Sequence, residues 1–251
     1  VVSDYDRPVS TPNPTAAILV IGDEILSGRT RDENMYHLAG VLTAHGIDLR
    51  EVRIVPDDQA AIVGAVNVLR RAYDHVFTSG GIGPTHDDIT ADAIGAAFGV
   101  PVVVDPEADR RVRAFSEVRG MSYNSDQQRM ARVPQGATLI DNPISAAPGF
   151  TLENVHVMAG VPVIFRVMVE SILPALAQGR PVVSGEYRIW RPEGDIAHDL
   201  RGLAAKYDDL ALGSYPSMQD GRGGTTIVVR GTDPQRVETA VAELRTVFPP
   251  E

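Results

Sequence analysis

The sequence predicts an α/β protein: a parallel or mixed sheet covered by helices on both faces, followed by a small α+β unit. Three observations predict it. Ala16–Ile21 (AAILVI) is an unbroken apolar run, the mark of a strand buried on both faces. Short apolar runs then alternate with segments of helical period as far as Leu176, the order expected of a sheet sandwiched between helices. Beyond a break at Gln178–Pro181 the order changes to strand, helix, strand, strand, helix.

After the strand at Ala16–Ile21, Asp32 can cap a helix whose inner face is Met35, Leu38, Val41 and Leu42, closed by Gly46. Leu49–Val55 is the second strand. Asp57 or Asp58 caps the next helix, which turns Ile62, Val66 and Leu69 inward. His75–Thr78 is a short buried strand, followed by a glycine loop and a helix from Ile89 to Phe98 that Gly99 stops. Val102–Val104 is a strand, Pro106–Arg119 a helix, and Ser125–Arg132 a helical turn. Ala137–Ile140 and Val155–Met158 are strands, and Pro162 suits the first turn of a long helix to Leu176. The last unit reads as strand Tyr187–Trp190, helix Asp195–Tyr207, strands Leu210–Ser214 and Thr225–Arg230, and helix Pro234–Val247. The expected division is a disordered tail over 1–14, a main domain over 15–178 and a small βαββα domain over 181–251.

Composition removes several classes of function. Of the 251 residues, 33 are acidic and 23 basic, a net charge of −10. So acidic a chain is a poor partner for a nucleic-acid backbone. There is no cysteine, which excludes disulfides, thiolate metal sites and thiol nucleophiles. The longest apolar runs are far too short to span a membrane, and the proline-containing first residues lack the apolar core of a signal peptide. A cytoplasmic location is therefore expected. The six histidines show no His-x-His or His-Glu-x-x-His spacing, and no Gly-x-Ser-x-Gly elbow occurs.

The segment that carries chemistry is Thr78-Ser79-Gly80-Gly81-Ile82-Gly83-Pro84-Thr85-His86-Asp87-Asp88-Ile89-Thr90, between a buried strand and a helix. In open α/β sheets such junctions lie at the carboxyl edge, where ligands bind. Glycines allow close backbone approach, and free amides at a helix start favour an anion. The loop is neither a Walker A sequence nor a dinucleotide fingerprint, and it has no lysine. Two carboxylates beside a phosphate repel it unless a cation intervenes, and Mg²⁺ commonly binds through one or two carboxylates plus phosphate oxygens. The expectation is that one aspartate caps the helix and the other, Asp88, holds the metal. A second acidic loop, Gly22-Asp23-Glu24 followed by Gly28, Asp32 and Asn34, comes after the first strand. It faces the glycine loop if the first and third strands are neighbours.

These residues resemble a known family. Ser79 to Thr90 resembles the GGxGPTxDDxT signature of the CinA-type (competence/damage-inducible protein A) branch of the molybdopterin-binding, MoaB/MogA-like superfamily. The resemblance extends to Gly22-Asp23-Glu24-Ile25-Leu26-x-Gly28, Asp32-x-Asn34, Val55-x-Asp57-Asp58, Asn142, Ala147-Pro148-Gly149-Phe150 and Gly160-Val161-Pro162. The segment around Leu212-Gly213-Ser214-Tyr215-Pro216 is similar to the part that follows this domain in the same branch and in eukaryotic FAD synthases.

The resemblance implies a three-layer α/β/α domain with a mostly parallel sheet and a cleft for a phosphate-bearing nucleotide or pterin. Carried over, Gly80, Gly81, Gly83, Thr85, Asp87 and Asp88 form the phosphate and metal site, with Ser79 and Pro84 in the same loop. Asp23, Glu24 and Asn34 line the opposite wall beside Gly22. Pro148, Gly149, Gly160 and Pro162 complete the substrate side. The activity implied is metal-dependent (Mg²⁺ or Co²⁺) cleavage of the pyrophosphate of ADP-ribose, FAD or a similar dinucleotide. The alternatives are molybdopterin binding with nucleotidyl transfer in molybdenum cofactor biosynthesis, or a non-catalytic pterin- or nucleotide-binding module. A homo-oligomer is implied as well. Asp23 or Glu24 is the candidate for orienting the attacking water. Two departures fall on the substrate side. Ile164 stands where these proteins usually carry a glutamate, and Ser145-Ala146 stands where they usually carry Gly-Thr. The 181–251 segment has no comparable glycine–carboxylate cluster and is expected to pack or assemble rather than to carry chemistry.

Overall fold

A computed structural model describes residues 12–145, 147–219 and 221–249, in two compact units, Val1–Gly179 and Arg180–Glu251. Most of the tail expected over 1–14, residues 1–11, lies outside the described residues, as does Ala146. Asn13 and Pro14 are held at the start of the sheet. The Asn13 side chain donates to Asp48 Oδ1 at 3.3 Å, and the Asp48 amide donates to the Pro14 carbonyl at 2.8 Å.

In the first unit the elements run β1 (Thr15–Ile21), α1 (Asp23–Leu26), α2 (Asn34–Ala44), β2 (Asp48–Val55), α3 (Gln59–Ala72), β3 (His75–Ser79) and α4 (Thr90–Phe98). They continue with β4 (Val102–Val104), α5 (Pro106–Val118), α6 (Ser125–Arg129), β5 (Arg132–Pro134), β6 (Thr138–Ile140), β7 (Gly149–Leu152), β8 (Val155–Met158) and α7 (Pro162–Ile172). The main sheet has the order β2-β1-β3-β8-β7-β6. Its first four strands are parallel, β7 is antiparallel to β8, and β6 is antiparallel to β7. The result is a three-layer α/β/α domain with a mostly parallel sheet.

The unbroken apolar run of β1 has a direct cause. Ala17, Leu19 and Ile21 point to one face and pack with Ile62, Val66 and Leu69 of α3 and Ala93 and Ile94 of α4. Ala16, Ile18 and Val20 point to the other and pack with Leu38 and Leu42 of α2 and Phe165, Met168 and Val169 of α7. A strand covered on both faces has no polar alternation to show. Truncating Ile18 or Leu19, both 0% exposed, to Ala costs about 2–5 kcal/mol. Capping follows local chemistry. Asp32 Oδ2 accepts from the Met35 amide at 2.9 Å, and Asp58 Oδ1 accepts from the Ala61 amide at 2.8 Å. Gly46 and Gly99 end their helices in the left-handed conformation.

The structure differs from the sequence reading at short elements. The helical turn expected to Arg132 stops at Arg129, because Arg132–Pro134 pairs as β5 with β4 in a separate two-stranded antiparallel ribbon. β7, not read from the sequence, begins at Gly149, directly after the Ala147-Pro148 turn. The last helix tightens to a 3₁₀ turn over Leu173–Ala175. Pro174 has no amide to continue an α-helical ladder.

The second unit consists of β9 (Val183–Ile189), α8 (Glu193–Lys206), β10 (Ala211–Gln219), β11 (Arg222–Gly231) and α9 (Pro234–Val247). Its antiparallel sheet has the order β10-β11-β9. It has its own core, including Ile189, Ile196, Leu203, Tyr207, Ile227, Val229, Leu244 and Phe248. β10 and β11 extend past the expected ends at Ser214 and Thr225, through a hairpin whose glycines hide the strand pattern. Among the described residues, no helix is long and apolar enough to cross a membrane.

Candidate functional site

β2 lies on one side of β1 and β3 on the other, so the chain reverses its winding between β1 and β3. The loops after β1, β3 and β8 leave the sheet at one carboxyl edge, where open α/β sheets bind ligands. There they enclose a cleft of about 590 Å³.

The glycine loop forms its floor. Gly80 and Gly81 have φ of 111° and 69°, in the region that favours glycine. Space imposes the same choice: a Cβ would lie 2.2 Å from the Ile21 carbonyl oxygen at Gly80, and 2.1 Å from Thr90 Oγ1 at Gly81. The loop is fastened at both ends. The Gly80 amide donates to the Met158 carbonyl at 3.1 Å, the Thr90 amide to the Gly81 carbonyl at 3.0 Å, and the Thr90 hydroxyl to the Gly80 carbonyl at 3.0 Å. Between these anchors the N–H groups of Gly81, Ile82 and Gly83 have no hydrogen-bond partner among the described residues. Successive unpaired amides of this kind suit an anion.

The two aspartates differ. Asp88 Oδ2 accepts from the Thr85 amide at 2.8 Å and from the Thr85 hydroxyl at 2.6 Å. Gly83 leaves room for that carboxylate, since a Cβ there would lie 2.6 Å from Asp88 Oδ2. The Asp87 carboxylate is open, its side chain 59% exposed, with His86 Nδ1 at 3.9 Å. Neither aspartate caps the following helix. α4 begins at Thr90 with Ile89 at its cap position and no side-chain cap. The expectation that one aspartate caps the helix is corrected: Asp88 closes the loop on Thr85, and the Asp87 carboxylate is open.

Across the cleft lie Glu24, on the one-turn α1, and Asp57, after β2. Asp57 Oδ2 accepts from the Asp23 amide at 3.0 Å. Burial raises the Asp57 pKa, and the charges of Glu24, Asp23 and Asp87 raise it further, against the pull of the Asp23 amide. Asp57 was visible in the sequence only as one of two candidate helix caps and as part of the Val55-x-Asp57-Asp58 resemblance. The missed signal was position: β2 is another parallel strand, so the acid just beyond it emerges at the same edge. Asp58, its neighbour, is the helix cap. Arg29 and Thr30 also reach the cleft, and Ile82, Met130, Ala147, Ala159, Val161 and Ile164 give it an apolar wall.

Of the residues expected to bind or react, Glu24, Gly80, Gly81, Gly83, Pro84, Asp87, Asp88 and Gly160 line the cleft. The others build it from behind. Gly22 bonds to the Val55 carbonyl at 3.1 Å, and a Cβ there would lie 2.6 Å from Glu24 Oε2. Asp23 supplies its backbone amide to Asp57 rather than a carboxylate to the cleft. Asn34 is not a wall residue. It is 3% exposed, and its Nδ2 donates to Ser79 Oγ and to the Gly160 carbonyl, each at 2.7 Å, tying the three loops together. Ser79 is 2% exposed. Thr85 holds Asp88, and Pro148 borders a small recess beside the glycine loop. Gly149 sits in β7, where a Cβ would meet the Val157 carbonyl at 2.3 Å, and Pro162 starts α7.

Among the described residues, no three histidine, cysteine, aspartate or glutamate side chains are gathered as a metal-ligand group. The donor set present still fits a hard dication. Asp87 and the second oxygen of Asp88 offer carboxylate ligands, no histidine among the described residues lines the cleft, and Mg²⁺ commonly completes its shell with phosphate and water oxygens.

Comparison with known proteins gives two family matches: a probable molybdopterin binding domain over residues 17–178 and the middle domain of FAD synthase over 181–251. A protein of Pyrobaculum aerophilum is 39% identical over 80% of this chain and 79% of its own length. A CinA-like protein of Desulfosudis oleivorans is 37% identical over 79% of this chain, but this chain spans 51% of that protein. The crystal structure of the protein CinA from Thermoplasma acidophilum matches 66% of this chain and 99% of its own, with a TM-score of 0.60 and 28% identity.

Proposed function

The chain belongs to the family of probable molybdopterin-binding domains, continued by an FAD synthase middle domain, and from that premise we propose that it is a divalent-metal-dependent nucleotide pyrophosphatase acting on ADP-ribose, FAD or a similar dinucleotide. One observation carries the reading: Asp87 and Asp88 stand on an amide-lined glycine loop without lysine, facing Glu24 and Asp57 across the cleft.

The amides of Gly81, Ile82 and Gly83 hold phosphoryl oxygens and stabilise the charge that develops on them. Asp87, with the second oxygen of Asp88, would hold Mg²⁺ or Co²⁺, which would supply polarisation of a phosphoryl oxygen and offset the charge of the acids around it. Asp57 is the base. Its raised pKa suits it to take a proton from water, and the Asp23 amide fixes its orientation. The water oxygen bonds to phosphorus, the bridging P–O bond breaks, and AMP leaves. The homo-oligomer implied by the family resemblance belongs to the same proposal, with sedimentation as its measurement.

The apolar wall of Ile82, Met130, Val161 and Ile164 favours a second reading, in which the cleft binds the planar ring of a molybdopterin. A matrix of metals against ADP-ribose, FAD, NAD and ATP, read by AMP and pyrophosphate release, separates the two. Metal-dependent AMP release from ADP-ribose or FAD supports hydrolysis. No release from any pair, with a pterin copurifying, supports the second reading and sinks the first.

A further inference from the structure

Among the described residues, Arg29 is the one basic residue lining the cleft, which also presents Glu24, Asp57, Asp87 and Asp88. An arginine near four acids would ordinarily pair with one of them. Arg29 does not: among the described residues it has no ion-pair or hydrogen-bond partner.

Its backbone is nevertheless held on both sides. Gly28 turns the chain at φ 73°, and its amide donates to the Ile25 carbonyl at 3.1 Å. The Thr30 amide donates to the Glu24 carbonyl at 2.9 Å, and the Ser27 amide to the Asp23 carbonyl at 2.8 Å. The loop is thus folded back on α1, with Arg29 at the cleft and its guanidinium in none of these bonds.

Charge balance indicates its partner. A dication held by Asp87 and Asp88 is matched by those two acids. The loop amides serve one phosphoryl group. A diphosphate ligand brings a second negative phosphate into a cleft that still holds Glu24 and Asp57. Among the described residues lining this cleft, Arg29 is the remaining positive group, and a guanidinium fork fits two phosphoryl oxygens.

We infer that Arg29 binds the second phosphate of a diphosphate ligand, the one the glycine loop and the cation do not hold, and so selects diphosphates over monophosphates. The inference rests on the phosphate reading of the cleft given above. Arg29 is a binding residue for the group that leaves with or remains on the far half of the ligand.

The test is calorimetry on the full chain with Mg²⁺, comparing AMP with the non-hydrolysable α,β-methylene analogue of ADP-ribose. Arg29→Met should weaken binding of the analogue by roughly 10–100-fold and of AMP by less than about 3-fold, as expected for losing a charge-assisted bond to one phosphate. Arg29→Lys should fall between Arg29→Met and the unaltered protein, since it restores charge without the fork. Because Arg29 is exposed, thermal melts of both variants should match the parent. Equal weakening of both ligands by Arg29→Met, or of neither, overturns the Arg29 assignment alone. Failure of the unaltered protein to bind either ligand overturns the phosphate reading itself.

Discussion

In the second unit, two acids are closely matched by cations. Glu243 accepts from Lys206 Nζ at 2.6 Å and from the Tyr207 hydroxyl at 2.7 Å, and Asp209 is bracketed by the Arg236 guanidinium at 3.0 Å. In the cleft of the first unit, Glu24, Asp57 and Asp87 have no lysine or arginine within ion-pair distance among the described residues. Yet both regions are built the same way, as helices packed on a sheet. The contrast shows where stability and function part. A matched acid contributes to the fold that holds it. A set of unmatched acids repels itself, and persists where a ligand or cation supplies the missing charge.

At Asp87 the contrast breaks in metal affinity and turnover together. Asp87→Asn removes a charge and keeps the shape. Metal affinity and turnover should fall together, by about 10–1000-fold, while the melting temperature holds. Titration with Mg²⁺ or Co²⁺ in the presence of a nucleotide reads the first, and AMP release the second. Asp88→Asn should cost less turnover and more stability, because Asp88 closes the loop through two bonds from Thr85. Unchanged metal binding and turnover in both variants would place Asp87 among ordinary surface acids.

Asp57 sharpens the contrast by setting the two properties against each other. Its pKa is raised by burial, then by Glu24, Asp23 and Asp87. The folded state therefore holds this proton more tightly than the unfolded chain, and stability falls as pH rises from the ordinary 3.8 through the raised value. Once ionised, Asp57 works against folding. Asp57→Asn should raise the melting temperature and still accept the Asp23 amide bond, yet lower turnover by about 10²–10⁴-fold, the range for a general base. A variant that loses both stability and activity would mean that Asp57 is structural.

Much of the fold was legible because its signals are local. The apolar run of β1, the Asp58 cap and the helix-ending Gly46 and Gly99 are each set by chemistry within a few residues. β5 and β7 were not legible. Each is three or four residues long, and each is defined by an antiparallel partner that no local pattern announces. The same limit shaped the reading of the site. Glycines and acids of the loop stood out by composition. Composition could not tell a wall from a strut: Asn34 and Ser79 belong to the right loops but face inward, binding those loops to one another. Asp57 reaches the cleft through sheet order, a property of the whole domain rather than of its neighbourhood in sequence.

A third kind of titrating group lies on β8 of the main sheet, and it sharpens the comparison through pH. His156 is 4% exposed, and burial, with a smaller contribution from His75, lowers its pKa from 6.5 to about 3. Its ring is held at Thr151 Oγ1, 3.0 Å from Nδ1. Here the unfolded chain binds the extra proton, so stability is full above 6.5 and is lost as pH falls from there toward about 3. The slope approaches about 1.4 kcal/mol per pH unit for one proton. Denaturant melts across this range should show it, and His156→Gln should flatten it without changing metal binding in the cleft. A slope that survives the substitution would assign the acid sensitivity to other groups, His75 first.

The smallest expected effect tests the matched side. Glu243→Gln leaves an acceptor for the Tyr207 hydroxyl but removes the charge that meets Lys206. The pair is partly exposed, 59% for the lysine and 28% for the glutamate, so solvent screens most of the attraction. A loss of about 0.5–1 kcal/mol is expected, with turnover unchanged. The pH dependence has the opposite sign to that of Asp57. Lys206 and then Tyr207 hold Glu243 below its ordinary 4.5, so its contribution is present above that value and is lost as pH falls through the lowered one. Salt should weaken the effect, since exposed pairs are screened over a Debye length of about 8–10 Å. If Glu243→Gln instead reduces AMP release with stability intact, the chemistry is not confined to the unmatched acids. The distinction between acids that hold the fold and acids that hold a ligand then fails in this protein.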